Sequence, residues 1–179
     1  MITIQNVRYF LGVDPGKQGA FTILNKDYEI VEKIVMPTIG EKENYDKISI
    51  VSIFKKYPYT LIAVENPGII FGIGKTSMAS LAHCTGMLEG MVAMLGLPYI
   101  MVRPAEWQRV AWQNVIRQTR KSSDGKNLSD PKATSLLAAM NKFPSEDFRA
   151  SSRCKNYHDG LIDSALISYY AVSQFRQDN

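Results

Sequence analysis

The stretch Arg8 to Phe21, RYFLGVDPGKQGAF, limits what this 179-residue chain can fold into more than any other segment. Tyr9 to Val13 is a short apolar run with the length and composition of a buried strand. Asp14 falls where that strand should stop. Pro15-Gly16 and Gly19 make a turn that returns the chain as an antiparallel partner, Ala20 to Leu24. A carboxylate at the end of a central strand, beside a glycine turn, is held rigidly and stays open to solvent on one side. That is a good position for a metal ligand, although the same residue also reads as an ordinary turn aspartate.

The pattern downstream predicts an α/β chain. Glu29 to Val35, after the turn at Asn25-Lys26-Asp27, completes a three-strand antiparallel meander. Met36 to Asn44 reads as a polar connection. Tyr45 to Tyr57 has helical spacing, with Ile48, Val51 and Phe54 as its stripe, and Pro58 ends it. Thr60 to Val64 (TLIAV) is a second buried strand that also ends on a carboxylate, Glu65. A helix between two such strands makes them parallel neighbours, so Asp14 and Glu65 should share one edge of the sheet. Asn66 to Lys75 is a glycine-rich loop with Ile69, Ile70 and Phe71. A long helix follows over Ser77–Leu95, with Ser77 as its N-cap and Gly96 as its stop. Its apolar residues run most of the way round, so more than one face should be buried, the second reading either as a dimer interface or, more plainly, as part of a fully interior helix.

Pro98 to Val102 is a third parallel strand, and Pro104 opens a helix carrying Trp107 and Trp112. Arg120 to Pro131 reads as a flexible basic loop. Asp130 caps a helix over Pro131–Lys142 whose stripe is Ala133, Leu136, Leu137 and Met140. Ser145 to Tyr157 is irregular, and His158 to Phe175 is the last helix. The length fits one domain over residues 1–179. No apolar run reaches the roughly 18 residues of a membrane span, and no signal peptide opens the chain. Cys84 and Cys154 lack a nearby partner and fit reduced thiols of a cytoplasmic protein.

The formal charge of +4 is unevenly spread. Residues 1–102 hold 9 Lys/Arg and 9 Asp/Glu, residues 103–155 hold 11 against 5, and residues 156–179 hold 1 against 3. A basic block of this kind suggests a polyanion, usually nucleic acid, where the plainer reading is a solvated surface. The acids are sparse and sit at element ends. Asp14 and Glu65 close strands. Asp159 and Asp163 are four apart, so both project from one face of the last helix. Two like charges at that spacing repel, and a helix N-terminus or a cation would offset the cost. Four carboxylates at element ends are the pattern for a hard cation such as magnesium. Singly, each has a plainer reading: Glu65 could cap its loop and Asp159 could be a helix N-terminal charge.

The order GVDPGKQGAF, AVEN, HDGLIDSAL resembles the RuvC family of Holliday junction resolvases, within the RNase H-like superfamily. RPAEWQRVAW and PKATSLLAAMNKFP look more like its phage and organellar branch. The resemblance implies a mixed five-stranded sheet flanked by helices, an antiparallel meander extended by parallel strands. It implies a homodimeric endonuclease that nicks opposed strands of a four-way DNA junction symmetrically. Two magnesium ions per site, with manganese as substitute, would serve phosphodiester hydrolysis. The family's acids fall on Asp14, Glu65 and Asp163, with Asp159 as the fourth and His158 as its rival. The commonest family spacing would put that fourth acid on Gly160. Lys132 and Lys155 are candidates for balancing transition-state charge, and Phe71 for a wedge at the junction centre. Lys75, Arg103, Arg109, Arg117, Arg120, Lys121, Lys126, Arg149 and Arg153 complete the expected DNA contacts. The cell would be bacterial or phage-infected, with an organelle left open. Rival readings are a related nuclease for other branched DNA or RNA, a junction-binding module without chemistry, and an actin-like ATPase, which needs two such domains.

Overall fold

In chain order the elements are Tyr9–Asp14 (β1), Ala20–Asn25 (β2), Ile30–Val35 (β3), Thr38–Ile39 (β4), Asn44–Tyr45 (β5), Lys47–Lys56 (α1), Thr60–Glu65 (β6), Lys75–Met94 (α2), Tyr99–Val102 (β7), Pro104–Ala111 (α3), Thr119–Lys121 (β8), Asn127–Ser129 (β9), Pro131–Lys142 (α4) and Asp159–Gln177 (α5). The computed structural model describes residues 6–41, 44–69 and 72–177. Phe71 and Ile70 lie outside the described residues, so the expected wedge has no structural account.

One mixed sheet has the order β3-β2-β1-β6-β7. β1 to β3 form the antiparallel meander, and β1, β6 and β7 run parallel. β1 buries Phe10, Leu11 and Val13, which alternate between the two faces, so its apolar run is continuous rather than alternating. Helices therefore cover both faces. One face packs Leu11, Val13, Ile23 and Ile62 against Ile50, Ile53 and Phe54 of α1 and Cys84, Leu88 and Val92 of α2. The other packs Phe10, Leu24 and Ala63 against Trp107 of α3, Ala138 and Ala139 of α4, and Ala165 and Leu166 of α5. The result is three layers, helix on sheet on helix.

α5 lies almost directly on β1. A Cβ on Gly12 would sit inside van der Waals contact with the backbone of Ser164 and Ser168, so only glycine lets the two elements approach. Buried hydroxyls of α5 fasten it to β1 and to the neighbouring β2. Ser168 Oγ donates to Phe10 O at 2.6 Å, and Ser164 Oγ shares a hydrogen with Thr22 Oγ1 at 2.8 Å.

Several local expectations need correction. The 36–44 connection is not wholly irregular, since β4 and β5 pair as a two-stranded ribbon that includes Tyr45. α1 starts at Lys47 because Asp46 caps it, accepting from Ser49 N and Ser49 Oγ. That register turns Ile50, Ile53 and Phe54 inward and leaves Ile48 82% exposed. α2 begins at Lys75 after Gly74 with no side-chain cap, two residues before the expected Ser77 start. The supposed loop after Arg120 is a hairpin: β8 pairs with β9, and Gly125 at φ +81° closes the turn. α4 runs over the expected residues with the expected Asp130 cap. Its inward face, however, is Thr134, Ser135, Ala138 and Ala139, and Met140 is 38% exposed. Small residues face inward there because α4 packs closely against α5 and α3.

Candidate active site

The parallel register sets Val13 opposite Val64, so Asp14 and Glu65 follow at matching ends of adjacent strands. Asp163 and Asp159 come from the first turns of α5, which starts over the same edge. The start of α5 is fixed by Gly160: a Cβ there would overlap Gln18 O and the Gly19 backbone in the β1–β2 turn. An acid at position 160 is therefore sterically excluded, and the i,i+4 pair Asp159/Asp163 stands in place of the shorter spacing.

Asp14, Lys132, Asp159, Gly160 and Asp163 line one cleft of about 650 Å³, together with the β1–β2 turn and Thr76, Ser77 and Ser80 of α2. The electrostatics are those of acids crowded out of water. Burial, and then the charges of Asp163, Glu65 and Asp159, hold the Asp14 carboxyl well above the usual range. Burial chiefly, with Glu65 and Asp159 adding to it, pushes Asp163 up to about 7, while a hydrogen bond from Ser135 opposes the rise. Burial also raises Glu65, against a hydrogen bond from Trp107. Lys132 forms an ion pair with Asp159 and favours the charged forms of Asp14 and Asp163.

Among the described residues, no three His, Cys, Asp or Glu side chains stand close enough to form a ready-made cation site. The donor set nevertheless suits a hard cation. All four groups are oxygen donors, their mutual repulsion calls for positive charge, and the buried Oδ1 of Asp163 has no hydrogen-bond partner.

The other expected site residues divide by location. His158 caps α5: its Nδ1 accepts from Leu161 N at 3.3 Å, and its own N–H donates to Phe148 O. Lys75 opens α2 beside the cleft. Arg103 pairs with Glu106 at the start of α3, and Arg109 lies exposed on that helix. Arg117 stacks over the Trp112 ring at 4.3 Å. Arg120 and Lys121 are exposed on β8, and Lys126 pairs with Asp124 in the hairpin turn. Arg149 is held by Asp147, whose carboxyl it lowers to about 2. Lys155 lines a separate hollow with Arg149 and Tyr157 that shares no residue with the cleft. Arg153 is exposed in the irregular segment before α5. The structure thus sets the four acids at one sheet edge, three of them lining the cleft with Lys132, and leaves Lys155 and Arg149 apart from them.

Three residues at the site were not assigned a part in it from sequence. Trp107 Nε1 donates to Glu65 Oε1 at 2.7 Å, Ser135 faces Asp163, and Cys84 Sγ accepts from Gly16 N at 3.2 Å. Only Trp107 had a usable signal. Its helix leaves the same carboxyl edge of the sheet on which Glu65 ends.

Strand order, meander and flanking helices define an RNase H-like fold of the kind found in RuvC. Among solved structures, the chain resembles Thermus thermophilus RuvC in complex with a Holliday junction substrate, with a TM-score of 0.61 at 11% identity over 95% of this chain and 96% of that one. A second Thermus thermophilus RuvC structure gives 0.61 at 11% over 93% and 96%. The yeast mitochondrial Holliday junction resolvase Ydc2 gives 0.51 at 14% over 96% and 81%. No family model and no curated protein matches the sequence. No helix among the described residues is long and apolar enough to cross a membrane.

Proposed function

We propose that the chain is a single nuclease domain, a divalent-metal-dependent endonuclease that resolves four-way DNA junctions by paired, symmetric nicks. The observation that carries this is the convergence of Asp14, Glu65, Asp159 and Asp163 on one sheet edge of a fold that RuvC shares along nearly its whole length. Those four residues would hold magnesium ions, which when bound supply an activated water and neutralise charge on the departing 3′ oxygen. The rest falls to the chain itself. Asp14 and Glu65 each follow the last β1–β6 pair, Val13 and Val64, so the register sets their backbones side by side. Lys132, the cation beside the acids, would hold a phosphate oxygen of the strand in the cleft. The hairpin β8–β9 would grip the backbone of a DNA arm. Its base is tied to the first turn of α4, which carries Lys132: Gln118 N donates to Thr134 Oγ1, and Asp130 N donates to Gln118 O.

The test compares a labelled four-way junction, a three-way branch and a linear duplex with magnesium, wild type beside Asp14→Asn. Paired nicks in the junction, reduced by roughly 10²–10³-fold in the variant, are the expected result, since the loss of one charge-stabilising group costs about that much. Equal cutting of all three substrates leaves a nuclease of broader choice, and tight binding without cutting by wild type removes the catalytic reading.

A further inference from the structure

Glu65 differs from its neighbours in needing outside help to be a precise ligand. Pairing with Val102 of β7, one residue beyond the last β1–β6 pair at Val64, fixes its Cα, but three side-chain torsions separate that atom from the carboxylate. An aspartate at a strand end has only two. What restrains Glu65 is Trp107, whose indole N–H donates to Oε1 at 2.7 Å. The indole is itself immobile. Trp107 is 1% exposed and packs in the core with Ala63, Val102 and Ala111, edge-on to Trp112 with ring centroids 6.1 Å apart at 80°. Its helix is pinned at the start by Pro104 and by Glu106 Oε2, which accepts from Arg103 N at 2.9 Å.

The chemistry of the donor matters as much as its rigidity. An indole N–H donates and cannot accept, and it carries no charge. It holds one carboxylate oxygen without neutralising the negative charge that a cation would need. It also leaves Oε2 uncommitted by that bond. A lysine or arginine at the same place would orient Glu65 equally well and compete with the ion.

We infer that Trp107 is a positioning residue for the cation site, acting through the Trp107 Nε1–Glu65 Oε1 hydrogen bond to present Glu65 as an ordered ligand. The inference rests on the metal-dependent reading of the four acids given above. Trp107 is buried and does not line the cleft, so its effect should be read in ion affinity.

The experiment titrates the whole protein with magnesium by calorimetry and, separately, by tryptophan fluorescence. W107F keeps an aromatic ring in the core and removes the N–H. Its magnesium affinity is expected to fall about tenfold or more, the usual consequence of removing a hydrogen-bond partner of a ligand. F54L, a core change on the opposite face of the sheet from Trp107, should lower thermal stability with affinity unchanged. In an E65A background, where no acceptor for the indole N–H remains, W107F should have no further effect on affinity. W112F leaves Trp107 as the single tryptophan, and its selectively excited emission should change with magnesium along the calorimetric isotherm. Should W107F fail to fold, that fluorescence titration still decides. Affinity of W107F within twofold of wild type, or Trp107 emission indifferent to saturating magnesium, overturns the role of Trp107 and leaves the nuclease reading intact. A wild-type protein that binds no divalent ion overturns both.

Discussion

At the scale of single residues, Asp163 shows what the site costs the fold. Its carboxyl is pushed from 3.8 to about 7, first by burial and then by Glu65 and Asp159. The folded state therefore holds the proton more tightly than the unfolded chain does. Stability from this group is fully present below about pH 4 and is lost as pH rises through about 7. Asp14 and Glu65 are shifted in the same direction, so they add to the trend. A shift of this size corresponds to about 4 kcal/mol at most. In chelator, the melting temperature should fall between pH 5 and pH 8, and Asp163→Asn should flatten that fall while raising stability at pH 8. Magnesium added at pH 8 should stabilise wild type more than the variant. A wild-type melting temperature independent of pH, or an unchanged slope in Asp163→Asn, would mean that the acid is not held in this strained state.

At the scale of elements, α2 is the one whose outer surface the chain leaves unexplained. Its inner face, Cys84, Thr85, Leu88 and Val92, packs on the sheet. Its outer face carries Ala79, Ala82, Gly86, Gly90 and Ala93, and Met94 is 87% exposed. A Cβ at Gly86 or Gly90 would meet nothing within 4 Å, yet glycine in a helix interior costs about 1 kcal/mol relative to alanine. We therefore propose this face as the dimer contact. Gly86→Leu should convert a dimer to a monomer by light scattering, with the helical circular-dichroism signal retained. A variant that stays dimeric moves the interface elsewhere, and a wild type monomeric at micromolar concentration removes the dimer. The elements also show what the sequence made legible. The five strands, the two acids ending β1 and β6, and the Asp130–Pro131 start of α4 each rest on chemistry within a few residues, and each was readable. The inward faces of α1 and α4 were not, because Asp46 sets one register and close packing of Ala138 and Ala139 sets the other. The Asp-Gly turn of the β8–β9 hairpin was local and available, but its polar flanks masked the strands. The Trp107–Glu65 bond spans 42 positions and depends on where α3 leaves the sheet, which no local pattern records.

At the scale of the whole molecule, the question is how much of the positive charge in residues 103–155 remains for a polyanion. Arg103, Lys126, Lys132 and Arg149 are each paired with a carboxylate of the chain. Such pairs cancel much of the local field before DNA arrives. Among the described residues, Arg109, Arg117, Arg120, Lys121, Lys142, Arg153 and Lys155 have no carboxylate within ion-pair distance, and three of them, Arg117, Arg120 and Lys121, are exposed together on or beside the hairpin. The usable charge is therefore narrower than the composition suggests, and its densest group lies on an arm tied to α4. Each phosphate contact by such a cation releases a condensed counterion and steepens the salt dependence of binding by about 0.9 in log–log slope. Arg120→Ala with Lys121→Ala should thus weaken junction binding and make the slope shallower by about 2. Anisotropy titrations in chelator between 50 and 200 mM salt, a span chosen from the range over which such contacts are read, would measure it. Arg149→Ala should change the slope little, because Asp147 already holds that guanidinium. Magnesium affinity should stay the same in both, since neither set touches the acids. If the double variant kept the wild-type slope while Arg149→Ala lost it, the grip would lie on the irregular segment before α5, and the hairpin would be a bystander to DNA binding.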